Sequence, residues 1–200
     1  MTPRPCSIAA RTLLPLTLAG SIAAQVCPGA SFSWGTAGLD LAYRVHTDGT
    51  RRYLPGITDG FGAGEDYLLI ALQPNGSFDW ARGYGTAGND GFEGSAVVPG
   101  GVLLSGDSGG DVLVVRYATN GTFDWAVQWS ASGASHTGSI AAGTGTDVFF
   151  GGGVAPSGFD DVLLLHYDVP ANGAAPTLSN AVTWADPSAT SSLNDICFDS

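Results

Sequence analysis

A gapless self-match at an offset of 45 residues constrains this chain more than any other feature. Asp66-Tyr-Leu-Leu-Ile-Ala-Leu-Gln-Pro-Asn-Gly-Ser-Phe-Asp-Trp80 returns as Asp111-Val-Leu-Val-Val-Arg-Tyr-Ala-Thr-Asn-Gly-Thr-Phe-Asp-Trp125. A third copy opens at Asp161-Val-Leu-Leu-Leu-His-Tyr-Asp168 and reaches Asn172-Gly173 through an insertion at Pro170–Leu178. Ala181-Val-Thr-Trp184 matches Ala126-Val-Gln-Trp129, and Trp34-Gly-Thr-Ala-Gly-Leu-Asp40 matches Tyr84-Gly-Thr-Ala-Gly-Asn-Asp90. Gly56, Gly106 and Gly152 mark a third matching segment. A period of 45–55 residues means one supersecondary unit that buries its apolar face by stacking on its neighbours.

Each unit reads as four strands. In the second copy they are expected near Gly94–Val98, Val102–Ser105, Val112–Tyr117 and Thr122–Trp129. Val, Leu, Tyr and Trp fill these runs, at ordinary strand lengths. Pro99-Gly100 joins the first pair and Asn120-Gly121 the last pair, the latter expected as a type I′ turn with positive φ at both residues. Small residues in the first strand suit the crowded centre of a radial sheet, and aromatics in the fourth suit its rim. The fold class is therefore all-β: a β-propeller-type repeat of four-stranded antiparallel blades, expected at 41–84, 94–129 and 138–184.

The order Asp, aliphatic run, Asn-Gly, Trp, then Gly-Thr-Ala-Gly-Asn-Asp resembles the secreted bacterial β-propeller repeats of SBBP type, often called seven-bladed. The resemblance spans residues 31–200. It implies an extracellular repeat domain of the kind found in larger surface proteins, with no catalytic residues to carry over. The insertion at Pro170–Leu178 departs from the pattern in the third outer hairpin.

One extra strand is expected before the three blades, at Ser31–Gly35, and one after them, at Leu193–Asp199. Three blades with two terminal strands are an incomplete ring, whose open ends leave edges and an apolar face unpaired. Missing C-terminal blades, closure by self-association and a compact irregular barrel are the ways to satisfy them.

The composition agrees with loops and hairpins. There is no Lys, all seven basic residues are Arg, and the 18 acids include only Glu65 and Glu93 as glutamates, beside 30 Gly. Glu and Lys, which favour helix interiors, are scarce, and turn formers are abundant. A net charge of −11 excludes a nucleic-acid partner, whose phosphates need the opposite sign. Residues 1–24 read as a signal peptide: Arg4 and Arg11, an apolar stretch from Thr12 to Ala24, and small residues at the cleavage point. Export leaves five Arg against 18 acids, a net of −13 on the mature chain, with no run long enough for a membrane span. The expected location is secreted, extracellular or cell-surface, with the periplasm as a variant. In that oxidising setting Cys27 and Cys197 could pair across the ends of the chain, or remain as two separate thiols.

Several motifs suggest chemistry. Gly106-Asp-Ser-Gly-Gly110 looks like the nucleophile segment of trypsin-like proteases, with His46 and Asp66 preceding Ser108 in the order of that triad. The spacing is too short and the flanking residues differ, and the repeat explains the segment as the link between second and third strands. Strand polarity gathers Asp40, Asp59, Glu65, Asp66, Asp90, Glu93, Asp107, Asp111, Asp160 and Asp161 on one face. Of these, Asp40, Asp59, Asp90, Glu93, Asp107 and Asp160 form a candidate Ca²⁺-binding set, while loop geometry alone also explains them. Asp66, Asp111 and Asp161 recur at strand starts and suit backbone capping. His46, His136 and His166 show no ligand spacing. Trp34, Tyr84, Trp129 and Trp184 suggest sugar stacking but fit blade-to-blade core better. Asn75-Gly-Ser and Asn120-Gly-Thr are formal glycosylation sequons that coincide with hairpin turns.

The expectation is a non-enzymatic extracellular interaction or structural module with no cofactor, whose partner is an unknown protein or glycan. Glycan or Ca²⁺-dependent ligand binding on the acidic face is the alternative, and a hydrolase is the least supported reading.

Overall fold

The computed structural model describes residues 33–61, 64–155, 161–185, 191 and 193–197. The expected signal peptide at 1–24, Cys27 and Asp160 lie outside the described residues. The described chain is all-β, in three antiparallel sheets that follow one another in sequence. Blade 1 holds β1 (Asp40–Ala42), β2 (His46–Thr47), β3 (Arg52–Thr58), β4 (Asp66–Leu72) and β5 (Phe78–Tyr84). Blade 2 holds β6 (Asp90–Val98), β7 (Gly101–Ser108), β8 (Asp111–Ala118) and β9 (Phe123–Trp129). Blade 3 holds β10 (Ala134–Ala142), β11 (Asp147–Ala155), β12 (Asp161–Asp168) and β13 (Thr177–Trp184). Each sheet runs in chain order, first strand to fourth, as propeller blades do.

Two apolar cores fill the seams. Tyr53, Tyr67, Leu69 and Trp80 of blade 1 meet Val102, Leu104, Leu113 and Val115 of blade 2. Leu103, Val112, Val114 and Trp125, on the opposite face of blade 2, meet Val148, Phe150, Leu163 and Leu165 of blade 3. Alternate residues of β7 and β8 thus serve different seams, because successive side chains point to opposite faces of a strand. A strand buried on both faces reads as an unbroken apolar run, which explains Val112–Val115. No core joins blade 1 to blade 3 among the described residues, so the arc is open.

Three local expectations are corrected. The first strand of blade 1 is split into β1 and β2, both paired to β3. Pro55 of β3 faces the break: its carbonyl accepts from the Tyr43 amide at 2.9 Å, but it has no N–H to return. The Asn120-Gly121 turn is not type I′, since only Gly121 takes a positive φ, of 83°. Asn120 Oδ1 instead accepts from the Thr122 amide at 3.0 Å, and Ala118 and Thr122 close a three-residue loop at 2.8 Å. The Asn75 and Asn172 turns repeat the contact, to Ser77 and Ala174. A two-residue turn with positive φ at both positions does occur, at Gly109-Gly110 (61° and 87°). Asp107 and Ser108, expected in the loop, therefore belong to β7, with Ser108 opposite Asp111.

The expected terminal strands are also absent among the described residues, since 33–35 and 193–197 carry no strand pairing. Leu193–Cys197 nevertheless packs along blade 3, where the Leu193 amide donates to Gly152 O at 3.1 Å and the Ile196 amide to Ser139 Oγ at 3.3 Å. The Pro170–Leu178 insertion leaves the outer hairpin intact, with β12 and β13 paired from Val162–Trp184 to Asp168–Thr177.

Candidate functional site

The acids expected on one face separate, among the described residues, into those that hold the frame and those that do not. Asp40 and Asp90 hold it. In each Gly-Thr-Ala-Gly-x-Asp crossing the Thr amide donates to the Asp carboxylate at 2.6 Å, Thr36 to Asp40 and Thr86 to Asp90. The hydroxyl of the same Thr adds a second bond, at 3.0 Å to Asp40 and 3.1 Å to Asp90. The partner strand adds Thr58, which donates to Asp40 at 2.6 Å, and Ser108, whose hydroxyl lies 3.1 Å from that of Thr86. Burial pushes the Asp40 carboxyl up, but the bonds from Thr58 and Thr36 outweigh it and leave the pKa below the usual value. Asp90 fastens the crossing from blade 1 to the first strand of blade 2, and Asp40 fastens the segment entering blade 1 to that blade's first and second strands, roles that the repeat of Thr and Asp four residues apart encodes.

Glu93 and Asp107 are different. In the β6–β7 ladder Phe92 opposes Gly106 and Gly94 opposes Ser105, so Glu93 is the extra residue of a β-bulge. A bulge turns its side chain out of the strand's alternation. Gly138 takes the corresponding place in the β10 bulge, between Thr137 and Ser139. Asp107 lies over Gly91 of the neighbouring strand, where a Cβ would collide with its carboxylate. His136 of β10 interacts electrostatically with both acids. Burial raises both carboxyl pKa values; His136 opposes the rise, while Asp107 adds to it at Glu93 and Asp90 adds to it at Asp107. Arg44 reaches in from blade 1 and donates to the Glu93 carbonyl at 3.2 Å. The first strands of blades 2 and 3 and the broken edge of blade 1 thus meet at a mouth carrying two acids, a histidine and an arginine.

Of the two remaining members of the expected ion set, Asp160 lies outside the described residues. Asp59 is exposed, with its amide donating to Leu39 O at 3.0 Å. Among the described residues no three of His, Cys, Asp or Glu converge as metal ligands. Cys197 is exposed, and its suggested partner Cys27 lies outside the described residues.

The protease-like triad is not assembled. Ser108 is buried against Thr86, and His46 instead lies 2.8 Å from Ser95 Oγ. Ser95 is 3% exposed; Ile140 takes its place in blade 3, where Ser139, at the position of Gly94, donates to Asp195 at 3.1 Å. Of the aromatic set, Tyr84 stacks on Phe123 across the seam at 5.6 Å, and Trp129 packs on the core between blades 2 and 3. Trp184 departs from the expectation of blade-to-blade core and is 56% exposed.

Sequence reasoning missed two features. One is the bulge, which no local composition marks. The other is Arg116, 1% exposed, which pairs with Asp124 and donates to the carbonyls of Pro99 (3.1 Å) and Ala171 (3.3 Å). Ala171 lies in the Pro170–Leu178 insertion, so the extra residues of the third copy receive this guanidinium. At the same repeat position blade 1 has Ala71 and blade 3 has His166, stacked on Phe149 at 4.3 Å.

No family model matches this chain, and no curated protein matches it either. The class is therefore defined by architecture: an open arc of propeller-type blades.

Proposed function

We propose that this chain is an exported, non-enzymatic repeat module of the secreted bacterial β-propeller type, working as an extracellular interaction surface. One observation carries the reading. The bulge turns Glu93 out of the strand ladder beside Asp107 and His136, where successive blades converge, while Asp40 and Asp90 serve as fastenings. Charged groups that no strand pairing requires, gathered where blades converge, make an acceptor-rich contact surface for a protein or a hydroxyl-bearing glycan. The acids at the mouth favour cationic or hydrogen-bond-donating partners, and the overall negative charge keeps anionic polymers away. Signal features at 1–24 and a composition with 30 Gly, no Lys and two Glu fit export of a loop-rich repeat protein.

The test compares wild type with the E93Q/D107N double variant on a glycan array and by crosslinking to intact producing cells. Binding lost in a double variant of unchanged melting temperature supports the reading. Equal binding by both proteins removes the mouth as the contact surface, and a chain retained inside the cell with residues 1–24 intact removes export.

A further inference from the structure

A second pair of acids, in the seam between blades 1 and 2, has an unmet electrostatic need. The Asp90 amide donates to the Glu65 carbonyl at 2.7 Å, and the Glu65 amide donates to Asn89 Oδ1 at 3.2 Å. The crossing from Gly85 to Asp90 is thereby clamped over the start of β4. Gly85 sits directly on Asp66, where a Cβ would run into the carboxylate. Asp66 is 2% exposed and its Oδ1 has no hydrogen-bond donor. Asp90 is fully buried, yet its carboxylate has the Thr86 amide and hydroxyl.

Two buried carboxylates therefore share one loop, and one of them keeps an orphan oxygen. A buried anion needs a proton, a donor or a cation, and no side-chain donor reaches Asp66 Oδ1. We propose that Asp66 and Asp90 hold a hard divalent cation of the Ca²⁺ class in this seam. Carboxylate, hydroxyl and carbonyl oxygens are what such an ion prefers, and Thr86, Ser108 and the Glu65 carbonyl supply the latter kinds nearby. Burial and the neighbouring Asp90 both push the Asp66 carboxyl up, which reports the same unmet charge.

The seam between blades 2 and 3 is an internal comparison. Ser135 stands at the position of Asp90, its amide donating to Gly110 O at 2.7 Å as the Asp90 amide does to Glu65 O. The second carboxylate is missing there and Asp111 is only half-buried, so the ion belongs to the first seam. With two carboxylates rather than a fuller acidic cage, the affinity fits the range of extracellular modules, about 10⁻⁴–10⁻³ M. This site is separate from the Glu93–Asp107–His136 mouth, and either can fail without the other.

The experiment uses the full chain, stripped with a chelator, in a Ca²⁺ titration followed by melting temperature. Tb³⁺ luminescence sensitised by nearby tyrosines gives an independent readout. At about 100-fold over Kd, wild type is expected to gain about 5–10 °C. D66N is expected to lose that gain, and D111N and E93Q/D107N to keep it. G85A, which intrudes on the carboxylate without changing charge, is expected to weaken the gain and serves if D66N does not fold. No divalent-ion effect on wild type overturns the proposal, as does a gain that survives in D66N. A gain lost only in E93Q/D107N assigns the ion to the mouth and likewise overturns it.

Discussion

Arg116 and Asp124 form an ion pair inside blade 2, and the same guanidinium reaches the Ala171 carbonyl of blade 3 at 3.3 Å. One side chain thus joins the third and fourth strands of its own blade to the next blade. Asp79, the matching residue of Phe-Asp-Trp in blade 1, takes Arg51 at 2.6 Å instead. The repeat fixes the acid, and the basic partner arrives from different strands.

Removing one partner of a buried pair strands the other charge, at a cost of about 3–5 kcal/mol. R116A is expected to lose stability on that scale by urea unfolding. In R116A/D124A the loss is expected to be smaller than the sum of the single losses, because neither charge is then left unpaired.

Two glycines with positive φ separate backbone strain from packing. Gly121 takes a φ of 83°, and a Cβ there would lie 2.8 Å from the Trp80 ring of the preceding blade. Gly109 takes 61° with nothing within 4 Å. G109A is expected to cost the strain alone, about 1–3 kcal/mol. G121A is expected to cost more, because Trp80 must also move, and denaturant midpoints of the two variants test the order.

Stability should fall on both sides of an acidic maximum. Burial raises the Asp48 carboxyl pKa, but donors from Tyr53, Thr50 and Arg51 lower it to about 2 overall. A depressed carboxyl contributes fully above its unfolded value of 3.8 and loses that contribution as pH falls towards about 2. Glu93 and Asp107 have the opposite sign. Their folded values are raised above 4.5 and 3.8, so the folded state binds more protons in that window and stability drops as pH rises through it. Urea midpoints against pH are expected to show both limbs, with D48N flattening the acid one and E93Q/D107N the other.

Ser108 should be chemically inert. It is 5% exposed and its hydroxyl faces Thr86 rather than a histidine. A fluorophosphonate probe is expected to leave it unlabelled, and S108A to cost about 1 kcal/mol for one lost hydrogen bond. Covalent labelling at Ser108, read by mass spectrometry, contradicts this.

The blades were legible because their signals are local and repeated. Apolar runs such as Val112–Val115 and turn pairs such as Pro99-Gly100 carry their own geometry, and a matched offset says it occurs again. The observed blades begin within about four residues of the expected limits, the gap being the β6 and β10 stretches before each bulge. The site was legible only in part. Asp40 and Asp90 look like Glu93 and Asp107 as sequence, yet Thr36 and Thr86 occupy the first pair. The Thr-to-Asp spacing of four reports part of that difference, but the donor from the partner strand, Thr58 at Asp40, is invisible in spacing along the chain.

By itself, the sequence determined the repeat unit and the strand order within each blade, because hydrophobic alternation and turn residues act over a few positions. The tertiary structure alone decided that Glu93 leaves the ladder, that Arg116 is received by the third copy's insertion, and that Asp66 lies beneath Gly85 with an oxygen unpaired. Each of those outcomes is set where two blades press together, by shape and by buried charge that no single blade contains.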